Sequence, residues 1–197
     1  MRLIESVPNF SEGRRGEVIE EIVNEGRKID GVWILDYSSD PNHNRSVVTL
    51  TGVPEAIEKA LFDMTKKARD LIDLKNHSGE HPRMGATDVI PLVPVMNTTK
   101  DECIELSRRL GRRIGDELSI PVYLYEDSAT SPERVSLSNI RKGEFENFPS
   151  KIIQEAWKPD FGPSSVHPSA GVVAVGCREY LIAFNVNLGT DNIEIAN

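Results

Sequence analysis

The stretch His77-Ser78-Gly79-Glu80-His81-Pro82-Arg83-Met84-Gly85-Ala86-Thr87-Asp88 constrains the fold more than any other. It lies between an amphipathic helical pattern and an apolar run. Pro82 disfavours helical backbone at His81. Gly79 and Gly85 allow a sharp turn or the close approach of another segment. The stretch therefore reads as a shaped connection between two regular elements. It also gathers two of the chain's four histidines, two carboxylates and a guanidinium. An imidazole held in such a place can move a proton near neutral pH.

The helical pattern before it starts at Pro54, a residue suited to a first helical position. Ile57, Leu61, Met64, Ala68, Leu71 and Ile72 recur at helical spacing through about Leu74. Further upstream, Arg2 to Val7 predicts a strand and Asn9 to Gly13 a polar turn. A helix follows from about Arg14 to Lys28, with Val18, Ile19, Ile22 and Val23 on one face. Val32 to Leu35 reads as a buried strand, Asp36 to Asn44 as a polar loop, and Ser46 to Thr51 as a strand.

Beyond Asp88, the run Val89 to Val95 carries Pro91 and Pro94. Proline cannot donate to a ladder, so an edge or bulged strand is expected. Thr99-Lys100-Asp101-Glu102 is a capping box. Cys103, Leu106, Leu110, Ile114 and Leu118 form the inner stripe of its helix. Pro121 to Tyr125 predicts a strand, Val135 to Lys142 one short helix, and Pro159 to Gly171 a loop. Val172 to Val175 and Tyr180 to Val186 read as strands joined across a turn containing Cys177, and Thr190 to Asn197 as a first helical turn. The irregular alternation predicts an α+β fold, a mixed β-sheet with helices packed on one face. No Gly-rich turn follows the first strand, so no dinucleotide fingerprint is present.

A net charge of −8 argues against non-specific nucleic-acid binding. No window approaches the apolar length of a membrane helix, and the first residues do not resemble a secretory signal. With Cys103 and Cys177 the only cysteines, a reducing, cytoplasmic setting is expected. A length of 197 residues suits one domain, or one domain and a fragment of another.

His77 and His81 have the spacing of two helical metal ligands, but Gly79 and Pro82 argue against a helix, and no metal is expected. Position alone leaves His81 open between a hydrogen-bonded turn residue and a general base. Arg83 offers a planar fork for a carboxylate or a surface ion pair. Asp88 could orient an imidazole or cap a strand end. Arg108, Arg109, Arg112 and Arg113 form a basic helix face, read first as a solvated face and second as a site for a polyanionic ligand. The stretch Gly162-Pro163-Ser164-Ser165-Val166-His167-Pro168-Ser169-Ala170-Gly171 offers hydroxyls and backbone amides to a small polar ligand, or is an ordered connector.

Several segments together resemble one family, the formiminotransferase domain. They are Val7 to Gly13, Asn44-Arg45, Gly79 to Ala86, Pro121 to Tyr125, Pro159 to Ser164 and Ala183 to Leu188. The resemblance implies a transferase of histidine breakdown and one-carbon metabolism. It would carry the formimino group from N-formimino-L-glutamate to N5 of tetrahydrofolate, the co-substrate. The family's catalytic histidine maps onto His81, one imidazole taking a proton from N5 and returning one to the departing nitrogen. Glu80, Asp88 or a backbone carbonyl would set its tautomer. The folate segment maps onto Gly162 to Gly171. The sequence carries Val166-His167 and Ala170 where vertebrate members carry Phe-Val and Trp. Arg45 and Arg83 are candidates for the substrate carboxylates.

The same resemblance implies two α+β subdomains of ferredoxin-like character, a tunnel between them, and a homodimer. Residues 1–178 would be the N-terminal subdomain, and residues 179–197 the first strand and helix start of a truncated C-terminal one. A complementing chain could supply the missing part. A non-catalytic folate-binding or assembly module is the alternative. Neither nucleic acid nor membrane is an expected partner.

Overall fold

Side chains of β5 (Thr87–Met96) divide cleanly between two faces of a sheet. Ile90 and Leu92 enter the main core, while Val89, Pro91 and Val93 point to the other side. This period of two is the ordinary consequence of pleating. It recurs in β4 (Arg45–Gly52), where Val48 and Leu50 enter the core and Arg45 and Val47 face away. The computed structural model describes residues 1–182 together with Gly189, Thr190, Asn192 and Ile195.

Among the described residues the sheet has seven strands. β1 (Leu3–Ser6) and β2 (Asn9–Phe10) occupy one slot in succession, both antiparallel to β4 on one side and to β5 on the other. β3 (Val32–Asp40) lies outside β4 at one edge. With α1 (Gly16–Arg27) and α2 (Pro54–Leu71) as crossovers, this half has the βαββαβ order of ferredoxin-like folds. β7 (Val173–Cys177) then pairs in parallel with β5, and β6 (Val122–Leu124) pairs in parallel with β7. The sheet is thus mixed, as expected.

The three long helices, α1, α2 and α3 (Lys100–Leu118), bury their apolar stripes on one face, against Ile4, Phe10, Leu50 and Val175. The capping box of Thr99 and Glu102 opens α3 as read from the sequence. The opposite face carries a smaller cluster beneath α4 (Leu137–Arg141) and α5 (Glu144–Lys151). There Ile140 and Phe148 meet Tyr123, Tyr125 and Ala174. So helices lie on both faces of the β5–β7–β6 half, and one short helix was expected where two occur.

Several local expectations need correcting. β5 is central, not at an edge, and the other expectation, a bulged strand, is met: its register shifts against β1 near Val95 and against β2 near Asp88. The Pro91 carbonyl accepts from the Ser6 hydroxyl at 2.6 Å, so the missing N–H points to the β1/β2 slot. No β1 or β2 residue is registered with Pro91, because the slot passes from β1 to β2 there. Pro94 lies beyond the last residue of β5 that β7 pairs, Leu92. Both prolines therefore occur where no ladder bond is required. β3 runs on through the predicted polar loop to Asp40, and Trp33 and Leu35 are 47% and 56% exposed. An edge strand tolerates this polar composition because one side meets water. Asn9-Phe10, read as a turn, forms β2, and Cys177 ends β7 instead of sitting in a turn. The predicted strand Tyr180 to Val186 and the helical turn from Thr190 run into positions outside the described residues.

Candidate functional site

The His77-to-Asp88 segment is held mainly by backbone. The Glu80 and His81 amides donate to the carbonyls of Asn42 (3.1 Å) and His43 (3.4 Å) in the turn between β3 and β4. Asn44 knits the corner: its Oδ1 accepts from the Gly13 amide, its Nδ2 donates to the Ser78 carbonyl, and its own carbonyl accepts from His77 Nε2. A Cβ at Gly79 would lie 2.3 Å from the His43 carbonyl oxygen, so only glycine fits. Downstream, Ser11 N and Oγ donate to the carbonyls of Ala86 and Gly85, and the Ala86 amide donates to the Ala170 carbonyl.

His81 is buried, and its Nδ1 has no hydrogen-bond partner among the described residues. Burial lowers its pKa to about 4. The Asp88 carboxylate opposes that fall, and the charges of Arg141, Arg45 and His43 add to it. The ring is therefore neutral at neutral pH and free to accept a proton. None of the groups expected to set its tautomer bonds to Nδ1. Asp88 is committed elsewhere: Oδ1 accepts from the Met84 amide at 2.8 Å and Oδ2 from Arg141. Asp88 acts on the ring through charge. Glu80 is exposed.

Arg45 and Arg141 also line a cavity of about 420 Å³ on the sheet face away from the long helices. Strand residues Val7, Asn9, Val47, Val89, Pro91 and Val93 supply its floor, and Tyr125, Leu137, Arg141, Arg178 and Tyr180 line it further. Arg45 Nη1 donates to Asn9 Oδ1 at 3.2 Å, while its Nε is buried without a partner. A buried guanidinium nitrogen left unpaired is costly unless a ligand atom reaches it. Three guanidinium groups around one cavity suit an anionic ligand, although Glu5 and Glu126 line it too.

Arg83 lies elsewhere than expected for a substrate contact. Its Nη1 donates to Glu144 and Glu146, its Nη2 to Glu146, and its Nε to His77 Nδ1 at 3.1 Å. It ties the first turn of α5 to the histidine segment. His77 donates from Nε2 and accepts at Nδ1, so neither nitrogen is left to ligate a metal. Burial lowers its pKa, against the pull of the Asn44 carbonyl.

The Gly162-to-Gly171 loop meets the histidine segment at its end. Gly171 bridges Gly85, and the Val172 amide donates to the Met84 carbonyl. His167 closes its own turn, its Nδ1 accepting from the Ala170 amide at 3.0 Å. At the other end Gly162 packs on Gly115 of α3. None of Gly162, Pro163, Ser164, Ser165, Val166, His167, Pro168, Ser169, Ala170 or Gly171 lines the arginine cavity. No residue from 77 to 88 lines it either, His81 included; the segment touches the cavity wall through Asp88, which accepts from Arg141.

The basic face of α3 is an ordinary solvated one. Arg108 pairs with Glu105, Arg109 with Glu58 and Arg113 with Glu117, while Arg112 stacks over Phe161. Arg141 and Arg178, which line the cavity, and His43, whose charge acts on His81, were not singled out in the sequence. Arg141 and Arg178 carried no local signal, since only the tertiary fold brings them beside Arg45. Asp40-Pro41-Asn42-His43 carried one, an aspartate placed to cap the turn that follows it.

Comparison with known proteins agrees with this arrangement of segments. The family described as "Formiminotransferase domain, N-terminal subdomain" matches residues 3–178. The chain is 54% identical over 196 residues to a glutamate formimidoyltransferase of Streptococcus pyogenes serotype M1, covering 100% of this chain and 66% of that protein. It is 49% identical to a glutamate formimidoyltransferase of Thermoplasma acidophilum, covering 99% of this chain and 65% of that one. It is 46% identical to the formimidoyltransferase-cyclodeaminase of Rattus norvegicus, covering 95% of this chain and 35% of that one. The chain therefore spans just under two thirds of the single-activity relatives named here and about a third of the bifunctional one.

Proposed function

The chain belongs to the formiminotransferase domain family, in its N-terminal subdomain, and from that premise we propose that it moves the formimino group of N-formimino-L-glutamate to N5 of tetrahydrofolate. The observation that carries this reading is His81, a buried neutral imidazole with an unpartnered nitrogen, close enough to feel the charge of Arg45, whose own Nε is unpartnered.

The chemistry asks for those groups. N5 attacks the formimino carbon, and a tetrahedral centre forms while N5 becomes cationic. His81 accepts the N5 proton. The bond from that carbon to the glutamate nitrogen then breaks, and the departing nitrogen takes up a proton. Arg45, with Arg141 and Arg178 beside it, is assigned to the glutamate carboxylates. Arg83 is assigned to holding the histidine segment. Gly162 to Gly171 is assigned to folate. The setting is cytoplasmic histidine degradation, the active form a homodimer, and residues 1–178 the working N-terminal unit.

In a second reading the chain is a non-catalytic folate-binding or assembly module that works with a complementing chain. One assay separates the two: mix chain, tetrahydrofolate and formiminoglutamate, and follow 5-formimino-tetrahydrofolate optically. Turnover supports the transferase. Folate binding without turnover supports the module. Neither turnover nor binding overturns both.

A further inference from the structure

We propose that Tyr125 is a substrate-binding residue: its phenol and the Arg178 guanidinium together hold one carboxylate of the amino-acid donor, while Arg45 holds the other from across the sheet; this rests on the transferase reading. Tyr125 directly follows β6 and lines the arginine cavity together with Arg45, Arg141 and Arg178. Its amide donates to the Val175 carbonyl at 3.2 Å. A Cβ at Gly176 would lie 2.7 Å from the Tyr125 ring, so glycine there lets the ring settle against β7. Arg178, just past β7, is fixed by its amide, which donates to the Leu92 carbonyl at 3.0 Å. Both side chains are thus anchored by main-chain bonds to the sheet.

Tyr125 is 2% exposed and packs into the smaller apolar cluster with Ile140 and Phe148. Its hydroxyl meets Arg178. An arginine donates and never accepts. The phenol oxygen is therefore the acceptor in that contact, and its own proton is directed elsewhere. No described residue accepts that proton. Tyr123, in the same cluster, shows the contrast: its hydroxyl donates to the Trp157 carbonyl at 2.6 Å. A buried donor without an acceptor is less favourable than a phenylalanine in its place, unless a ligand atom completes it. The charges nearest the hydroxyl, those of Arg178, Glu126 and Arg141, all belong to the cavity wall. Burial, opposed by Arg178, pushes the phenol above its usual range, so it keeps a proton to donate.

A neutral O–H and a guanidinium converging on one point fit a carboxylate oxygen. Glu126 at the same end is exposed, so salt and water screen its charge. Arg45 stands on β4, whereas Tyr125 and Arg178 stand just past the ends of β6 and β7, with β5 in between. Two anion-binding points on opposite sides of β5 suit a ligand with two carboxylates, which N-formimino-L-glutamate has. A monocarboxylate would leave one of them empty.

The test uses the intact chain and calorimetry with L-glutamate, the released product, as the probe. Tyr125→Phe keeps the ring, so Tm should stay as in the wild type while glutamate binds about tenfold more weakly. KM for formiminoglutamate should rise by a like factor, with kcat and the KM for tetrahydrofolate nearly unchanged. Tyr123→Phe should do the opposite, lowering Tm and sparing glutamate. In an Arg178→Gln background, Tyr125→Phe should weaken binding less than in the wild type, because the two groups hold one carboxylate. A Tyr125→Phe protein with wild-type glutamate affinity overturns the proposal, as does full additivity of the two substitutions. Tyr125-dependent glutamate binding without turnover in the wild type overturns the transferase reading instead.

Discussion

Arg141 of α4 donates from Nε (2.8 Å) and Nη2 (2.5 Å) to one carboxylate oxygen of Asp88 on β5. Asp88 is 1% exposed and Arg141 is half-buried, so this pair fastens a short helix onto the sheet with the carboxylate shielded from water. The same pair frames His81, with opposite effects: Asp88 raises its pKa and Arg141 lowers it. Asp88→Asn removes the opposing charge and strands the guanidinium. Unfolding free energy should fall by about 3 kcal/mol, the scale for breaking one side of a buried pair. The His81 pKa should fall further below its already lowered value. Denaturant melts and histidine NMR read the two effects separately, and a raised pKa would contradict the assignment.

Arg83 and Arg45 should fail in different ways. Arg83→Ala releases the first turn of α5 from the histidine segment, and its carboxylate partners are themselves partly exposed. A stability loss of about 2 kcal/mol is expected. Arg45→Ala removes a half-buried side chain whose Nε is buried and unpaired, so folding should suffer little. Its effect should appear as at least a tenfold rise in KM for formiminoglutamate. Melting curves and saturation kinetics on both variants check the contrast, which an intact KM in Arg45→Ala would remove.

The pH dependence of stability has a definite sign. The pKa of His81 in the folded chain, about 4, is lower than its ordinary 6.5. The unfolded chain therefore binds the proton more readily. His81 is without effect on stability above its ordinary value and progressively destabilises the fold as pH falls from there towards 4. His77 is lowered as well and adds in the same direction. The His81 contribution is at most about 3 kcal/mol, less whatever water reaches the ring. His81→Gln should consequently lose less Tm than the wild type when pH is lowered from neutral to about 4.5. Equal losses would mean that the ring is not held neutral.

Catalysis gives the sharpest assay of His81. Its replacement by alanine should lower kcat by about a hundredfold or more, with tetrahydrofolate affinity largely kept. That pattern marks a group used in the transition state and not in binding. An unchanged kcat would remove His81 from the chemistry.

Much of the helical layer was legible because apolar spacing and caps are local signals: α1, α2 and α3 appear close to where the periodicity and the Thr99–Glu102 box predict them. The place of β5 was not legible. Pro91 and Pro94 left an edge strand and a bulged one open, and only the handover between β1 and β2 and the end of β7 explain their tolerance in a central strand. At the site, the cluster around His81 could be read from residue types and from the proline and glycines that shape it. The partners of Arg83 could not, since Glu144 and Glu146 lie about sixty residues away in sequence. Arg141 and Arg178 were hidden for the same reason.

His81 reaches its place through main-chain bonds to the turn at residues 42–44. Amide and carbonyl groups are the same in every residue, so the side chains of Asn42 and Glu80 take no part in that attachment. Positions 42 and 80 can thus carry other chemistry without moving the imidazole. Substitutions at 42 and 80 should therefore leave the His81 main-chain contacts in place, whereas any side chain at 79 would meet the His43 carbonyl.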